Sequence, residues 1–502
     1  MQNILDYLEE TVLTINPNKP AFISAQTTMS FSDLYKSSKA IGSFISSHKF
    51  KNKPIIVFME KSPEMISAFF GVVYSGNLYV PLDKEMPKIR IQMVLDIIKP
   101  EMILYDSVSL PFIETLNINA IKADYSDVSK TITNHTSLSK IRASVIDTDP
   151  VYVVFTSGST GVPKGVIANH RNIIDYIENL SNILEFNENT IFGNQAPLFL
   201  DACLKEIVPV IKFGATAYLI PKQLFMFPVK LLEYINQNKI NTICWVSSVL
   251  SFTAEIGALE TTAPTTLKTV AFGGEVLSVS SLNRWIKALP NTSFTQLYGP
   301  TEATGMSAYY KIPGSMDESK KIPIGKPFPN TEIFLLKENE SASEGEICIR
   351  GTCLSPGYYG DATRTAESFV QNPLTDFPDI IYKTGDIGCL NSNEELYFVS
   401  RKDFQIKHMG HRVELSEIEL SVVKFEGIQL AAAIYDKNKS RIILFYSSNK
   451  GIDEKALKAV LKQNLPKYML PYSIHGLETM PLTLGGKINR KEIEEIYYER
   501  FT

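Results

Sequence analysis

The sequence predicts an α/β fold: a large N-terminal domain of layered α/β subdomains, a small β-rich subdomain, and a small α+β C-terminal domain. Short apolar runs alternate with helical patterns at β–α–β spacing through the N-terminal half. From Ile322 the pattern changes to short strands around a charged turn, and after Arg401 to a compact α+β unit. We therefore predict a core domain at residues 1–400 and a C-terminal domain at 401–502.

The bulk composition is that of a globular protein with more than one domain. The chain has 502 residues, of which 44% are hydrophobic and 21% charged, and its formal net charge is −4. That charge gives no general attraction to nucleic acid or to an anionic membrane surface. The sequence has neither a signal-peptide pattern nor an apolar run of roughly 18 residues. Its five scattered cysteines suit a reducing compartment. We predict a cytoplasmic protein without membrane insertion.

The first part of the chain alternates between strand and helix patterns. A helical pattern runs through Ile45, and either Ser32 or Asp33 is expected to cap it. The next predicted elements are, in order, a strand at 54–59, a helix at 65–73, a strand at 78–83, a helix at 89–98 and a strand at 102–105. This order predicts α/β layers.

The rest of the chain continues this pattern and then departs from it. The predicted elements are a helix at 173–184, strands at 242–246 and 269–272, a helix at 280–289, and strands at 332–336 and 346–350. The C-terminal domain is expected to hold a helix at 416–424, strands at 431–435 and 441–446, and a helix at 454–465. No internal repeat is present.

A glycine- and hydroxyl-rich loop follows the wholly apolar strand 151–155. Its residues are Thr156, Ser157, Gly158, Ser159, Thr160, Gly161, Val162, Pro163, Lys164 and Gly165. Backbone N–H groups, hydroxyls and a lysine are suitable donors to phosphate oxygens, and glycine lets the backbone approach an anion closely. The alternative is an ordinary flexible surface loop. Its position directly after a buried strand favours phosphate binding.

This loop and four further motifs, in the same order along the chain, resemble the adenylate-forming enzymes: acyl-CoA synthetases, luciferases and the adenylation domains of nonribosomal peptide synthetases. The further motifs are Gly273-Gly274-Glu275, Gln296 to Thr304, Tyr382 to Asp386 with Arg401 to Lys407, and Pro481 to Arg490. The resemblance implies that the protein uses ATP and Mg²⁺ to convert a carboxylate into an acyl adenylate, and that it then forms a thioester.

The resemblance assigns most of these residues to ATP or AMP. Thr156 to Gly161 and Lys164 are expected at the phosphates, together with Thr301 at the α-phosphate. Gly273, Gly274, Glu275, Tyr298 and Gly299 are expected around adenine. The family places its ribose-binding aspartate at Asp386, with Arg401 as a second ribose and phosphate contact. Glu302 is expected to hold Mg²⁺, for which its carboxylate is a suitable hard ligand.

The C-terminal motifs imply a mobile domain. By resemblance Asp403 is the hinge between one conformation for adenylation and another for thioester formation. Lys487 is the catalytic cation, which bridges the carboxylate and the α-phosphate as negative charge develops. Ser400 and Asn489 depart from the family pattern, which has glycine and frequently aspartate at these positions.

Asp201 indicates the class of acid that is activated. In amino-acid-activating members an aspartate here pairs with the α-ammonium of the substrate, whereas ligases of fatty and aryl acids have no such cation. The alternative is that Asp201 caps the helix that follows it. By resemblance the side-chain pocket comprises Ala202, Lys205, Cys244, Val270, Phe272, Leu297, Gly305 and Met306. Most are apolar, which favours a small or hydrophobic side chain; Lys205 would meet an acidic one, or lay its stem along the wall.

The sequence therefore predicts a freestanding adenylation enzyme that activates an amino acid and passes it to the phosphopantetheine thiol of a carrier protein supplied in trans. The compact length and the run Asp403 to Lys407 also resemble D-alanine–carrier-protein ligases of cell-wall modification. Two rivals from other classes are an acyl- or aryl-CoA ligase, which Asp201 disfavours, and an inactive binding module. The presence of Lys487, Glu302 and Asp386 disfavours the binding module.

Overall fold

The computed structural model describes residues 2–158, 160–339, 341–483 and 488–501. Helices and sheets are interleaved over the first 300 residues or so, and the α/β fold class is confirmed. Its helices are Leu5–Thr14, Phe31–Ser47, Pro63–Tyr74, Lys88–Ile98, Leu110–Ile113, Tyr125–Val128, His135–Ser144, His170–Leu184, Leu204–Phe213, Pro228–Gln237, Ser247–Glu255, Ala258–Thr261, Val279–Ala288, Ala362–Ser368, Leu415–Val423, Glu454–Asn464 and Arg490–Arg500. Short 3₁₀ turns lie at Asp201–Cys203, Lys222–Met226, Thr301–Ala303 and Lys467–Met469.

Within the described residues the strands form five sheets. In spatial order, the first contains Ile121–Asp124, Met102–Tyr105, Pro54–Phe58, Leu78–Leu82, Pro150–Thr156 and Lys164–Asn169. The second contains Lys326–Pro327, Ala308–Lys311, Ser293–Tyr298, Thr269–Gly273, Thr242–Val246, Ile191–Asn194, Thr216–Leu219, Pro20–Ile23 and Thr28–Ser30. The antiparallel third contains Thr331–Leu336, Glu344–Gly351, Ile380–Leu390 and Phe369–Gln371, with Leu396–Arg401 also paired to Ile380–Leu390. The fourth pairs Gln405–His408 with His411–Glu414, and the fifth joins Ile428–Asp436, Arg441–Ser448 and Ser473–Leu477.

The chain forms two compact units. The first comprises Met1–Asp83, Ile98–Val154 and Gly165–Lys402, and the second comprises Lys84–Ile97, Phe155–Lys164 and Asp403–Thr502. The first unit holds two large apolar clusters, one of which contains Trp245 and Trp285. The second unit has its own core, which includes Leu444 and Leu457.

The cap of the second helix corrects a prediction. The helix begins at Phe31, and its cap is Ser30 rather than Ser32 or Asp33. The Ser30 hydroxyl accepts from the Asp33 backbone N–H at 3.1 Å, while the Asp33 carboxylate accepts from the Ser30 N–H at 3.2 Å. This reciprocal pair is a capping box, so Asp33 belongs to the cap as its third helical residue.

Across the described segments, no helix is both long and apolar enough to cross a bilayer.

Candidate functional site

The first unit joins three predicted ATP-site residues in one hydrogen-bonded group. Asp386 and Arg401 are partners on adjacent antiparallel strands, and the Arg401 guanidinium forms an ion pair with the Asp386 carboxylate. The Tyr298 hydroxyl donates to the other carboxylate oxygen of Asp386 at 2.6 Å. Burial, then the charge of Asp386, raises the pKa of Tyr298. Tyr298 therefore remains a neutral donor, and Asp386 remains an ion-paired acceptor.

Glu302 is buried in the short 3₁₀ turn that follows Gly299 and Pro300. Its carboxylate accepts from the Tyr358 hydroxyl at 2.8 Å, and its backbone carbonyl accepts from the Ser355 N–H at 2.8 Å. No cluster of three or more His, Cys, Asp or Glu side chains that could hold a metal occurs in the described parts of the chain. A single buried carboxylate fits Mg²⁺, which proteins hold through one or two carboxylates together with substrate phosphates.

A Glu302→Gln variant is expected to use Mg²⁺-ATP less well without unfolding, because the amide keeps the size of the side chain but loses the charge that attracts the metal. Titration of activity against Mg²⁺ should show a higher half-saturating concentration. The matched control is Tyr358→Phe, which removes the hydrogen bond and keeps the carboxylate. A lower melting temperature with unchanged Mg²⁺ dependence in Glu302→Gln would make Glu302 structural.

Two glycines in the predicted adenine region are required by close backbone approaches. A Cβ at Gly273 would lie 2.2 Å from the Leu297 carbonyl oxygen, and a Cβ at Gly299 would lie 2.5 Å from the Gly305 carbonyl oxygen. Gly274 has φ +84°, which glycine adopts without strain. The Glu275 carboxylate accepts from the Ser248 N–H at 3.2 Å. These contacts explain the glycines by packing alone, so the adenine role stays a prediction.

Asp201 does not cap a helix. It opens the turn Asp201–Cys203, whose cap is Leu200, and the following helix has Cys203 as its cap without a side-chain hydrogen bond. The Asp201 side chain is buried beside the turn that holds Thr301 and Glu302. Burial raises the pKa of Asp201, and the Thr301 hydroxyl and the Lys205 ammonium oppose that shift. The helix-cap alternative is therefore wrong.

The structure brings together some of the predicted pocket residues and separates Phe272 from them. Leu297, Met306 and Cys244 belong to one buried cluster, with Ala202 packed against it. Phe272 belongs to the cluster of Trp245. Cα pairing of Phe272 with Gln296 places its side chain on the opposite sheet face from Leu297, because side chains alternate along a strand. Val270 shares the face of Phe272, and Ala271 lies on the face of Leu297.

Gly305 lies against the ring of Tyr176. Its φ is +98°, and a Cβ there would lie 3.3 Å from the Tyr176 ring. Tyr176 is fully buried, and its pKa is raised by burial and then by the neighbouring Cys244 and Asp201. A larger side chain at position 305 would therefore strain the backbone and press against the ring.

A polar group that the sequence analysis missed lies near Cys203, as Asp201 does. The Lys61 ammonium donates to the carbonyls of Asn194 and Gln195, at 3.2 Å each. The Glu206 carboxylate accepts from the Asn194 amide. Burial raises the pKa of Glu206, while Lys205 and Asn194 oppose that shift; burial also lowers the pKa of Lys61. The adjacent charges Lys205 and Glu206 at the start of the otherwise largely apolar helix 204–213 are the signal that would have identified the group.

A pH dependence of stability follows from Glu206. Its folded-state pKa lies above the ordinary 4.5, so its contribution is present below that value and is lost as the pH rises through the raised pKa. Glu206→Gln, which does not titrate, is expected to lose less melting temperature than the wild type between about pH 5 and pH 8. Parallel melting curves of the two proteins would contradict the raised pKa.

The glycine-rich loop lies in the second unit. Thr156 ends its strand, and its buried hydroxyl has no hydrogen-bond partner among the described residues. Gly161 has φ +77°, and its N–H donates to the Gly158 carbonyl at 2.9 Å. Lys164 is buried at the start of the next strand. Ser159 lies outside the described residues.

One donor of this loop is occupied within the second unit. The Ser157 hydroxyl donates to the Arg412 carbonyl at 2.6 Å. The Glu417 carboxylate lies near Gly158. Glu417 also forms a buried ion pair with Arg90. A carboxylate thus lies beside a loop residue that the resemblance assigns to phosphate, and phosphate binding by the loop stays a prediction.

The remaining predicted residues are at the C-terminal end. Asp403 is the first residue of the second unit's last segment, and its carboxylate accepts from the Gln405 N–H at 3.2 Å. Lys487 lies outside the described residues, so its catalytic role stays a prediction. Tyr358 is a further residue that the sequence analysis missed, because nothing in its local sequence indicates the bond to Glu302.

The chain is similar to known proteins along nearly its whole length. The family described as "AMP-binding enzyme" matches residues 9–359. The chain is 30% identical to zwittermicin A synthase ZmaJ of Bacillus cereus, over all of this chain and 97% of that protein. It is 30% identical to gramicidin S synthase 1 of Brevibacillus brevis over 97% of its own length, but spans only 44% of that protein. The structure of holo-PA1221, an NRPS protein containing adenylation and PCP domains, superposes with a TM-score of 0.83 at 23% identity, covering 98% of this chain and 84% of that one.

Proposed function

Since the chain belongs to the family of AMP-binding enzymes and is an adenylation domain of the nonribosomal peptide synthetase type, we propose that its substrate is an amino acid. The enzyme joins the amino acid to the α-phosphate of ATP and releases pyrophosphate. It then transfers the aminoacyl group to the phosphopantetheine thiol of a carrier protein supplied in trans.

The observation that carries the proposal is Asp201. Its carboxylate is buried, forms no ion pair within the described segments, and lies beside Thr301 and Glu302. A buried carboxylate without an ion-pair partner is costly, so a cation of the substrate would stabilise it. The α-ammonium of an amino acid is that cation, and it would bring the α-carboxylate next to the nucleotide-binding motif.

The other residues then have the following roles. Glu302 holds Mg²⁺, which neutralises phosphate charge when bound. Asp386 and Arg401 fix the ribose, and Tyr298 with Gly273 to Glu275 borders the adenine. The glycine-rich loop and Lys164 donate to the phosphates, and Lys487 stabilises charge at the reacting centre.

Two conformations belong to the same proposal. Residues 1–400 and 401–502 act as separate domains, and Asp403 is the hinge between them. One conformation serves adenylation and the other serves thioester formation. The segment from Arg401 through Lys407 resembles the hinge of the family, and this resemblance supports the assignment.

ATP–pyrophosphate exchange with a panel of amino, fatty and aryl acids tests the first step. The proposal expects exchange with an amino acid and only background with the others. Exchange with a fatty or aryl acid alone would overturn it in favour of an acyl- or aryl-CoA ligase. D-Alanine as the sole substrate would point to a carrier-protein ligase of cell-wall modification.

The second step is tested by incubating the enzyme, ATP and the activated amino acid with a phosphopantetheinylated carrier protein. Intact mass spectrometry should show the carrier gaining the mass of one aminoacyl group. A carrier that stays unloaded while free CoA becomes acylated would contradict the proposed partner.

A further inference from the structure

Lys205 is a buried residue whose ammonium has no partner among the described residues. The residue is 4% exposed, and its ammonium forms neither a hydrogen bond nor an ion pair within the described segments. Lysine is almost never buried this far unless it is paired. Leaving an ammonium unpaired in the interior is costly, so the site is expected to receive an anion.

The position of Lys205 relates that charge to the substrate. Lys205 follows Asp201 by four residues, across the turn Asp201–Cys203 and into the helix Leu204–Phe213. The Lys205 ammonium lies close enough to the Asp201 carboxylate to oppose the effect of burial on the pKa of Asp201. The two opposite charges influence each other but form no ion pair. One molecule that carries both an ammonium and a carboxylate could pair with both charges.

The neighbouring charges leave Lys205 uncompensated. Glu206 is faced by two lysines, Lys61 and Lys205, and it supplies one negative charge for both. Asp201 is taken by the α-ammonium once an amino acid binds. One positive charge of the two lysines then remains. A neutral side chain does not balance this charge, and a cationic one adds to it.

We infer that the substrate is an acidic amino acid, whose side-chain carboxylate pairs with Lys205. The inference rests on the proposed function, because it assumes that Asp201 binds the α-ammonium. It takes up the acidic alternative that the sequence left open, in place of a small or hydrophobic side chain. Lys205 is the specificity-determining residue, and Glu206 with Lys61 is a positioning pair behind it.

The test compares each acidic amino acid with its own amide, which has the same size and no charge: aspartate with asparagine, and glutamate with glutamine. In ATP–pyrophosphate exchange, kcat/KM should favour one of the acids over its amide by at least about a hundredfold. An equal rate for acid and amide, or a preference for a neutral or basic amino acid, would overturn the inference and leave the proposed function standing. Exchange confined to fatty or aryl acids would overturn both.

The variant Lys205→Met tests whether this residue causes the preference for the acid over its amide. It should remove most of the discrimination by lowering kcat/KM for the acid at least a hundredfold while retaining or raising exchange with the amide. Activity with the amide also shows that the variant is folded. The matched control is Lys212→Met on the same helix, whose ammonium pairs with Glu178 at 2.6 Å; it should keep the discrimination. An unchanged acid-to-amide ratio in Lys205→Met would contradict the assignment. If that variant does not fold, the wild-type comparison decides.

Discussion

The variant Lys487→Ala is expected to lose adenylate formation by about two to three orders of magnitude. The proposed role of Lys487 is to stabilise the charge that develops between the attacking carboxylate and the α-phosphate. Removing one preorganised donor from such a centre typically costs this much. Transfer from preformed aminoacyl-AMP to the carrier should be largely intact, because the lysine serves only the adenylation conformation. Single-turnover measurement of each half-reaction checks this.

Lys491→Ala is the matched control, because Lys491 is an exposed lysine four residues later, on the helix Arg490–Arg500. It should leave both half-reactions unchanged. Equal loss of both half-reactions in Lys487→Ala would show that the lysine does not act in adenylation alone.

The variant Asp201→Ala is expected to lower kcat/KM for the amino acid at least a hundredfold. Without Asp201 the α-ammonium is buried and unpaired, which typically costs about 3–5 kcal/mol. At about 1.4 kcal/mol per factor of ten, that is two orders of magnitude or more. The des-amino acid carries no ammonium that the substitution would leave unpaired, so its kcat/KM should fall far less.

The variant Asp201→Asn tests whether the charge of the Asp201 side chain, rather than its size, is needed to bind the amino acid. The amide keeps the size of the side chain but removes its charge, so this variant should discriminate against the amino acid almost as strongly as Asp201→Ala. If neither variant changed the ratio of amino acid to des-amino acid, the amino-acid assignment would fail.

The strands and helices could be predicted from the sequence because their signals are local. Wholly apolar runs such as 54–58 and 102–105 are strands at almost the predicted bounds. The amphipathic pattern through Ile173 and Leu184 is the helix His170–Leu184. The cap of the second helix was misplaced because a capping box puts its serine and aspartate three residues apart, and only the serine is the cap.

The pairing of site residues could be predicted only in part. The motifs identified Asp386, Arg401 and Tyr298 one by one, but their shared hydrogen bonds arise from strand pairing between distant segments. The side of the sheet that Phe272 occupies depends on register, and a shift of one residue reverses it. Lys61 and Glu206 are 145 positions apart in the chain, so no local pattern could place them together.

The most direct test of amino acid activation is a competition trapped with hydroxylamine. The enzyme is given ATP, Mg²⁺ and an equimolar mixture of amino, fatty and aryl acids, and hydroxylamine converts each acyl adenylate into a hydroxamate that mass spectrometry identifies. The proposed function predicts that the dominant product is an amino acid hydroxamate. The inferred role of Lys205 predicts that this product comes from an acidic amino acid. A dominant fatty or aryl hydroxamate would contradict amino acid activation.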